Sequence, residues 1–149
     1  MKKLTLTLAI VSALFASGCK QLGNVSDSQI STGVAIGTTA GLRYGIQDAA
    51  KRTLVADYIN VCASALRSLT GTPPPTPADL TALLNKAVPD SIRSQNPELI
   101  AFVAPLVVTA YQFAYDKYGS GADAAKLYGV LNSIAVGLET GAAPYITKK

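Results

Sequence analysis

The sequence predicts an all-α fold, a small helical bundle of about four to five helices in one domain. Apolar residues recur every three or four positions, and no segment shows the sustained apolar–polar alternation between hairpin turns that indicates strands. The chain has 149 residues, of which 49% are apolar and 15% are charged. This length and composition suit a single domain with one core, and they exclude a disordered, highly charged tail protein.

The first helix is predicted over residues 30–46, although Val, Ile, Thr and Gly favour helix only weakly. Before it, residues 20–29 are mostly polar and contain the turn-prone pair Gly23-Asn24. These residues are therefore expected to form a short flexible tether.

The second helix is predicted from Ala49 to Leu69, where Gly71 supplies a C-cap and the prolines at 73–75 cannot continue a helix. The proline run is interpreted as a stiff connector. The expected buried face of this helix consists of Leu54, Tyr58, Cys62, Ala65, Leu66 and Leu69.

The third helix is predicted to start at residues 76–79, where Thr76 is the N-cap, Pro77 takes the first position and Asp79 the third. Pro89 ends it. Its apolar stripe consists of Leu80, Leu83, Leu84, Ala87 and Val88.

A fourth helix is predicted from Pro97 to Tyr118, with a kink at Pro105. Its residues 99–115 carry no charge, which fits either a core helix buried all round or a short membrane span. It also carries a stripe of three tyrosines, Tyr111, Tyr115 and Tyr118. These rings are interpreted as the edge of the core, with their hydroxyls reaching water. A ligand-binding platform is the alternative.

The last helix is predicted from Ala122 to Glu139, ended by Gly141 and Pro144. Its expected core residues are Leu127, Val130, Leu131, Ile134 and Leu138.

Small residues recur every four positions in the first and last helices. The predicted packing or interaction residues are Gly33, Gly37, Gly41 and Gly45 in the first row, and Gly129 and Gly137 in the last helix. Glycine costs about 1 kcal/mol in a helix interior, so such a row needs an offsetting gain, which close backbone approach supplies. The two rows are expected to pack on each other. Self-association or membrane insertion through the first row, and coincidence, remain alternatives.

The N-terminus predicts an export signal. Lys2 and Lys3 precede an uncharged run that is too short to span a bilayer, and small residues follow it up to Cys19. The sequence Ala16-Ser17-Gly18-Cys19 resembles a bacterial lipobox, although Ala16 stands where a larger aliphatic residue is usual.

The resemblance implies removal of residues 1–18 as a signal peptide and acylation of Cys19. It further implies a tether at 19–29, a helical domain at 30–149, and a lipid anchor in the outer membrane, because Lys20 is not Asp. The inner membrane and an ordinary signal peptide with an accidental cysteine are the alternatives.

Catalytic patterns are absent from the sequence. The chain has no His, so neither a Ser-His-Asp nor a Cys-His arrangement exists. The nine acidic residues are scattered and no phosphate loop is present, although folding could still pair two carboxylates. Cys62 lies on the predicted buried face and is interpreted as an inert thiol rather than a nucleophile. We expect no enzyme activity, metal, cofactor, nucleic acid or small-molecule substrate.

The expected function is a lipid-anchored, non-enzymatic interaction or scaffold module facing the periplasm. Its expected partners are the bilayer, through acylated Cys19, and an envelope protein or a second copy. The layout also resembles small helical lipoproteins encoded by phages and prophages, through the short tether and the Ala/Gly-rich stretch VAIGTTAGLRYGIQDAAKR. That resemblance implies a lysis accessory or superinfection exclusion. The alternative is a membrane-active protein that uses the glycine-rich helix or residues 99–115.

Overall fold

The computed structural model confirms the all-α fold. It describes residues 26–69, 74–88, 90, 94, 107–109, 111–112, 114–116, 118 and 124–147. These residues contain no strand. The helices are α1 (Asp27–Ala40), which continues into a π-helical turn (Gly41–Gly45), α2 (Ala49–Arg67), α3 (Pro77–Ala87) and α4 (Ala124–Ala142). The described residues between 107 and 118 are also helical, and together they are called the 107–118 segment.

Helix α1 begins earlier than its propensity suggested. Ser26 caps it through a reciprocal pair, in which the Ser26 side chain accepts from the Gln29 backbone N–H and the Gln29 side chain accepts from that of Ser26. The tether expected over residues 19–29 is therefore corrected, because residues 27–29 are helical. The predicted signal peptide at 1–18, Cys19 and the Gly23-Asn24 pair lie outside the described residues.

Helices α2 and α3 start at side-chain caps. The Asp48 carboxylate accepts the Lys51 backbone N–H at 2.9 Å at the start of α2. At the start of α3, Thr76 and Asp79 cap each other reciprocally and Pro77 takes the first turn, as predicted. The buried residues of these helices form one side of the core: Val55, Ala56, Tyr58, Ile59, Cys62, Ala63 and Leu66 in α2, and Leu80 and Leu84 in α3.

The 107–118 segment faces the core through Val107, Tyr111 and Ala114. The Tyr111 hydroxyl donates to the Pro75 carbonyl oxygen at 2.5 Å, which corrects the expectation that it reaches water. Burial, followed by the neighbouring Tyr128, Tyr115 and Asp79, raises the pKa of Tyr111 well above its ordinary value. Residue 105 and its predicted kink lie outside the described residues.

Helix α4 is the central element, because it packs against both α1 and α2. It continues to Ala142, so Gly141 lies inside the helix instead of ending it, and the predicted end at Glu139 is corrected. Leu127, Leu131, Ile134 and Leu138 are buried as expected, whereas Val130 is only partly buried.

The end of the described chain is fixed to α2. Thr147 donates its backbone N–H and its hydroxyl to the two carboxylate oxygens of Asp57, at 3.0 and 2.7 Å. The Arg52 guanidinium donates to the Ile46 carbonyl oxygen and lies 5.7 Å from the centre of the Tyr145 ring. The turn before α2 and the turn after α4 therefore meet at one side chain.

Candidate interaction surface

The inner face of α1 is held very close to α4, in a contact called the α1–α4 seam. A methyl group placed on Gly137 would lie 2.5 Å from the Ser31 carbonyl oxygen and 2.6 Å from the Val34 Cβ. A methyl group on Gly141 would lie 2.6 Å from both the Ala35 carbonyl oxygen and the Thr38 Cβ. These positions of α4 accept no side chain, because the α1 backbone already occupies the space.

The two helices of the seam run parallel. Along α1, Asp27 lies near Gly129, Val34 near Gly137 and Thr38 near Gly141, so both sequences advance in the same direction. The Thr39 hydroxyl also donates to the Gly141 carbonyl oxygen at 3.2 Å. Val34 and Thr38 form the ridge, and the α4 glycines form the groove.

Gly33 and Gly41 of the first row do not form this groove. A methyl group on Gly33 or Gly41 would meet no atom within 4 Å, whereas one on Gly129 would meet only the Asp27 carboxylate, at 3.8 Å. Gly33 is exposed, and Gly37 and Gly45 are half-buried. The first helix does pack on the last, but Gly137 and Gly141 of α4 receive Val34 and Thr38 of α1, so the expected contact of one glycine row with the other is corrected at Gly33 and Gly41.

The outer face of α1 carries an apolar surface that we call the outward patch: Gly33, Ile36, Ala40, Arg43 and Tyr44. Ile36 is 64% exposed and Tyr44 is 67% exposed, and they are the exposed large hydrophobic residues in the described part of the chain. Positions 36, 40 and 44 are spaced by four and share one face of the helix. Exposed apolar residues that cluster in this way mark interaction surfaces more often than isolated ones.

The π-helical turn presents the distal end of the outward patch. The Gly41 backbone N–H is shared between the Gly37 and Thr38 carbonyl oxygens, where the α-helical bonding pattern gives way. Arg43 and Tyr44 lie in this turn, and the Arg43 guanidinium lies 5.5 Å from the centre of the Tyr44 ring. Single π-helical turns are found at functional sites more often than their rarity suggests.

Arg43 is the only charge on the outward patch. Asp27 and Arg43 are the charged side chains of residues 26–47, and Asp27 lies on the α4 side of the helix, near Gly129. The outward patch therefore combines two projecting apolar side chains with one cation and no acid.

The remaining polar groups of the core are structural. Burial raises the pKa of the Cys62 thiol to about 11, although a hydrogen bond with Tyr58 lowers it, so the thiol stays protonated at neutral pH. The Thr38 hydroxyl is buried without a hydrogen-bond partner in the described part of the chain. Within the same residues, no group of three acidic or cysteine side chains could hold a metal ion.

Comparisons with protein-family models, with curated proteins and with solved structures find no match for this chain. Ile36 and Tyr44 were not predicted as surface residues, because only the glycine row of their helix was considered. The sequence feature that could have indicated this exposed face is the spacing of eight residues between Ile36 and Tyr44, together with the flanking Gly33 and Gly37.

Proposed function

We propose that this protein is a lipid-anchored, non-enzymatic interaction module of the bacterial envelope, with the outward patch of α1 as its docking surface. The exposure of Ile36 and Tyr44 on one face carries the proposal, because a soluble helix ordinarily keeps such side chains against its core. The other face of α1 is already occupied by α4. Docking through the free face leaves the bundle intact.

The anchor in this proposal is acylated Cys19, supported by the lipobox-like residues 16–19 that follow a charged n-region and a short apolar run. Two or three acyl chains bind a bilayer stably, whereas one binds marginally. With Lys20 after the cysteine, the proposed location is the periplasmic face of the outer membrane.

The alternative function is a membrane-active protein, favoured by the uncharged run at 99–115. Most of that run lies outside the described residues. In the described part of the chain, no helix combines the length and the apolar content needed to cross a bilayer.

Labelling and extraction separate these proposals. Radiolabelled palmitate is expected to enter the wild-type chain and not Cys19→Ser, and alkaline carbonate is expected to release Cys19→Ser from membranes. Equal labelling of both chains would exclude the anchor. Retention of Cys19→Ser in carbonate-washed membranes would favour the membrane-active alternative.

A further inference from the structure

We propose that the outward patch of α1 lies on the anionic surface of the bilayer that holds the anchor. Ile36 and Tyr44 then enter the headgroup region, and Arg43 contacts lipid phosphate. This inference rests on the proposed function, because it takes acylated Cys19 as the anchor point. It identifies the bilayer as the partner that the docking surface binds.

The length of chain between anchor and helix limits how far α1 can be from the bilayer. Six residues lie between Cys19 and Ser26, where α1 is capped, so the two Cα atoms are joined by seven residue-to-residue steps. Fully extended, they reach at most about 25 Å. The start of α1 is thus held within about one helix length of the headgroups.

Only one face of α1 can turn towards that surface. Val34 and Thr38 are covered by α4, so the face free to meet lipid is the one that carries Ile36 and Tyr44. When α1 lies flat, both side chains project in the same direction. The exposed Gly33 adds no side chain beside Ile36, so the flat helix surface can approach the headgroups closely.

The chemistry of the outward patch fits a membrane interface. Tyrosine combines an apolar ring with a polar hydroxyl and is enriched at the headgroup level. Arginine extends its charge towards phosphate while its methylene groups cover apolar surface. The patch carries this one cation and no acid, which matches anionic lipid. A second copy would bring another Arg43 and no carboxylate on the patch to receive it.

The test uses the acylated protein, which in this proposal begins at Cys19, in mixed phosphatidylethanolamine–phosphatidylglycerol vesicles. Because the chain has no Trp, Tyr44→Trp introduces a single tryptophan, whose emission is distinct from that of the tyrosines, in the outward patch. Asn132→Trp is the matched control, because Asn132 is exposed on α4, the helix that covers the other face of α1. Lipids with brominated acyl chains quench only a fluorophore that enters the interface.

We expect quenching of Tyr44→Trp to exceed that of Asn132→Trp by about twofold or more, with a blue-shifted emission. Arg43→Gln in the Tyr44→Trp background is expected to reduce quenching on these vesicles and to change it little on phosphatidylcholine. Ile36→Trp provides a second probe if Tyr44→Trp does not fold.

Three results would overturn the proposal. If acylated protein floats with the vesicles and both fluorophores are quenched equally, the patch does not contact lipid although the anchor holds. If the tryptophan of Tyr44→Trp is shielded from the brominated lipids and chemical cross-linking yields a dimer or a complex with another protein, the outward patch binds a protein and not lipid. If the chain is not acylated and does not float, the proposed function fails together with this inference.

Discussion

In the α1–α4 seam, Val34 and Thr38 lie against glycines, whereas α2 and α3 meet the core through large side chains such as Leu66 and Leu84. The seam depends on the absence of side chains, because the Ser31 carbonyl oxygen fills the place of a methyl group on Gly137. The α2–α3 core depends on their presence, since Leu80 and Leu84 are fully buried. Adding atoms should therefore damage the seam, and removing atoms should damage the core.

The largest effect is expected from Leu84→Ala in the core. Removing a fully buried Leu side chain leaves a cavity and should lower the free energy of unfolding by about 2–5 kcal/mol. Urea denaturation measures the change. Leu83→Ala is the matched control, because Leu83 is only half-buried and should cost less. Equal losses in the two variants would show that α3 does not contribute a specific face to the core.

Alkaline pH should destabilise the core through Cys62. Its pKa is about 11 in the folded protein, above the ordinary value of 9.0, so the unfolded chain releases this proton first. The contribution of the Cys62 thiol to the free energy of unfolding is therefore fully present below pH 9. It is lost as the pH rises towards 11, by up to about 3 kcal/mol.

The check compares the pH dependence of urea denaturation for wild type and Cys62→Ala, with a reductant present. Cys62→Ala is expected to show the shallower decline between pH 9 and 11, whatever its stability at neutral pH. Parallel curves would contradict the assignment of this decline to the thiol.

Gly137→Ala should damage the seam. The added methyl group would lie 2.5 Å from a backbone oxygen, so α1 and α4 must separate, at a cost of about 1–3 kcal/mol despite better helix propensity. Thermal denaturation followed by circular dichroism gives the change. Gly33→Ala is the matched control and should gain up to about 1 kcal/mol, because its methyl group meets nothing within 4 Å. If both variants are stabilised, the seam is looser than described.

Thr38→Val is expected to raise the free energy of unfolding slightly, through a change at the seam. The Thr38 hydroxyl is buried without a partner in the described part of the chain, and replacing it with a methyl group keeps the shape while removing the desolvation cost. We expect about 1 kcal/mol of stabilisation in urea denaturation. A loss of stability would mean that the hydroxyl has a partner in the folded protein.

Local sequence patterns predicted those features of the helices that depend on residues within one or two turns of each other. The α3 start was predicted because Thr76, Pro77 and Asp79 act within one turn. The core positions of α4 followed from its 3.6-residue periodicity. The start of α1 was misplaced because the Ser26–Gln29 cap, which stabilises its first turn, was not weighed against the weak helix propensity of the residues that follow.

The packing of the first helix on the last was expected from their small residues, but the residues that meet in this long-range contact could not be predicted from the sequence. The glycine row and the Val34–Thr38 ridge lie on adjacent strips of α1, and either can face a neighbour. Helix α4 determines which strip packs inward, because its Gly137 and Gly141 form a groove that accommodates the Val34–Thr38 ridge. Similarly, the bond from Tyr111 to Pro75 joins residues with no local relation, so the pattern around Tyr111 could not reveal it.

The parallel seam between the first and last described helices also has a kinetic consequence. Its contacts join residues about a hundred positions apart, the kind of non-local pairing that slows folding. Among the described helices, α4 is the one that covers Val34 and Thr38, so a nascent chain that still lacks α4 leaves these two side chains without that cover.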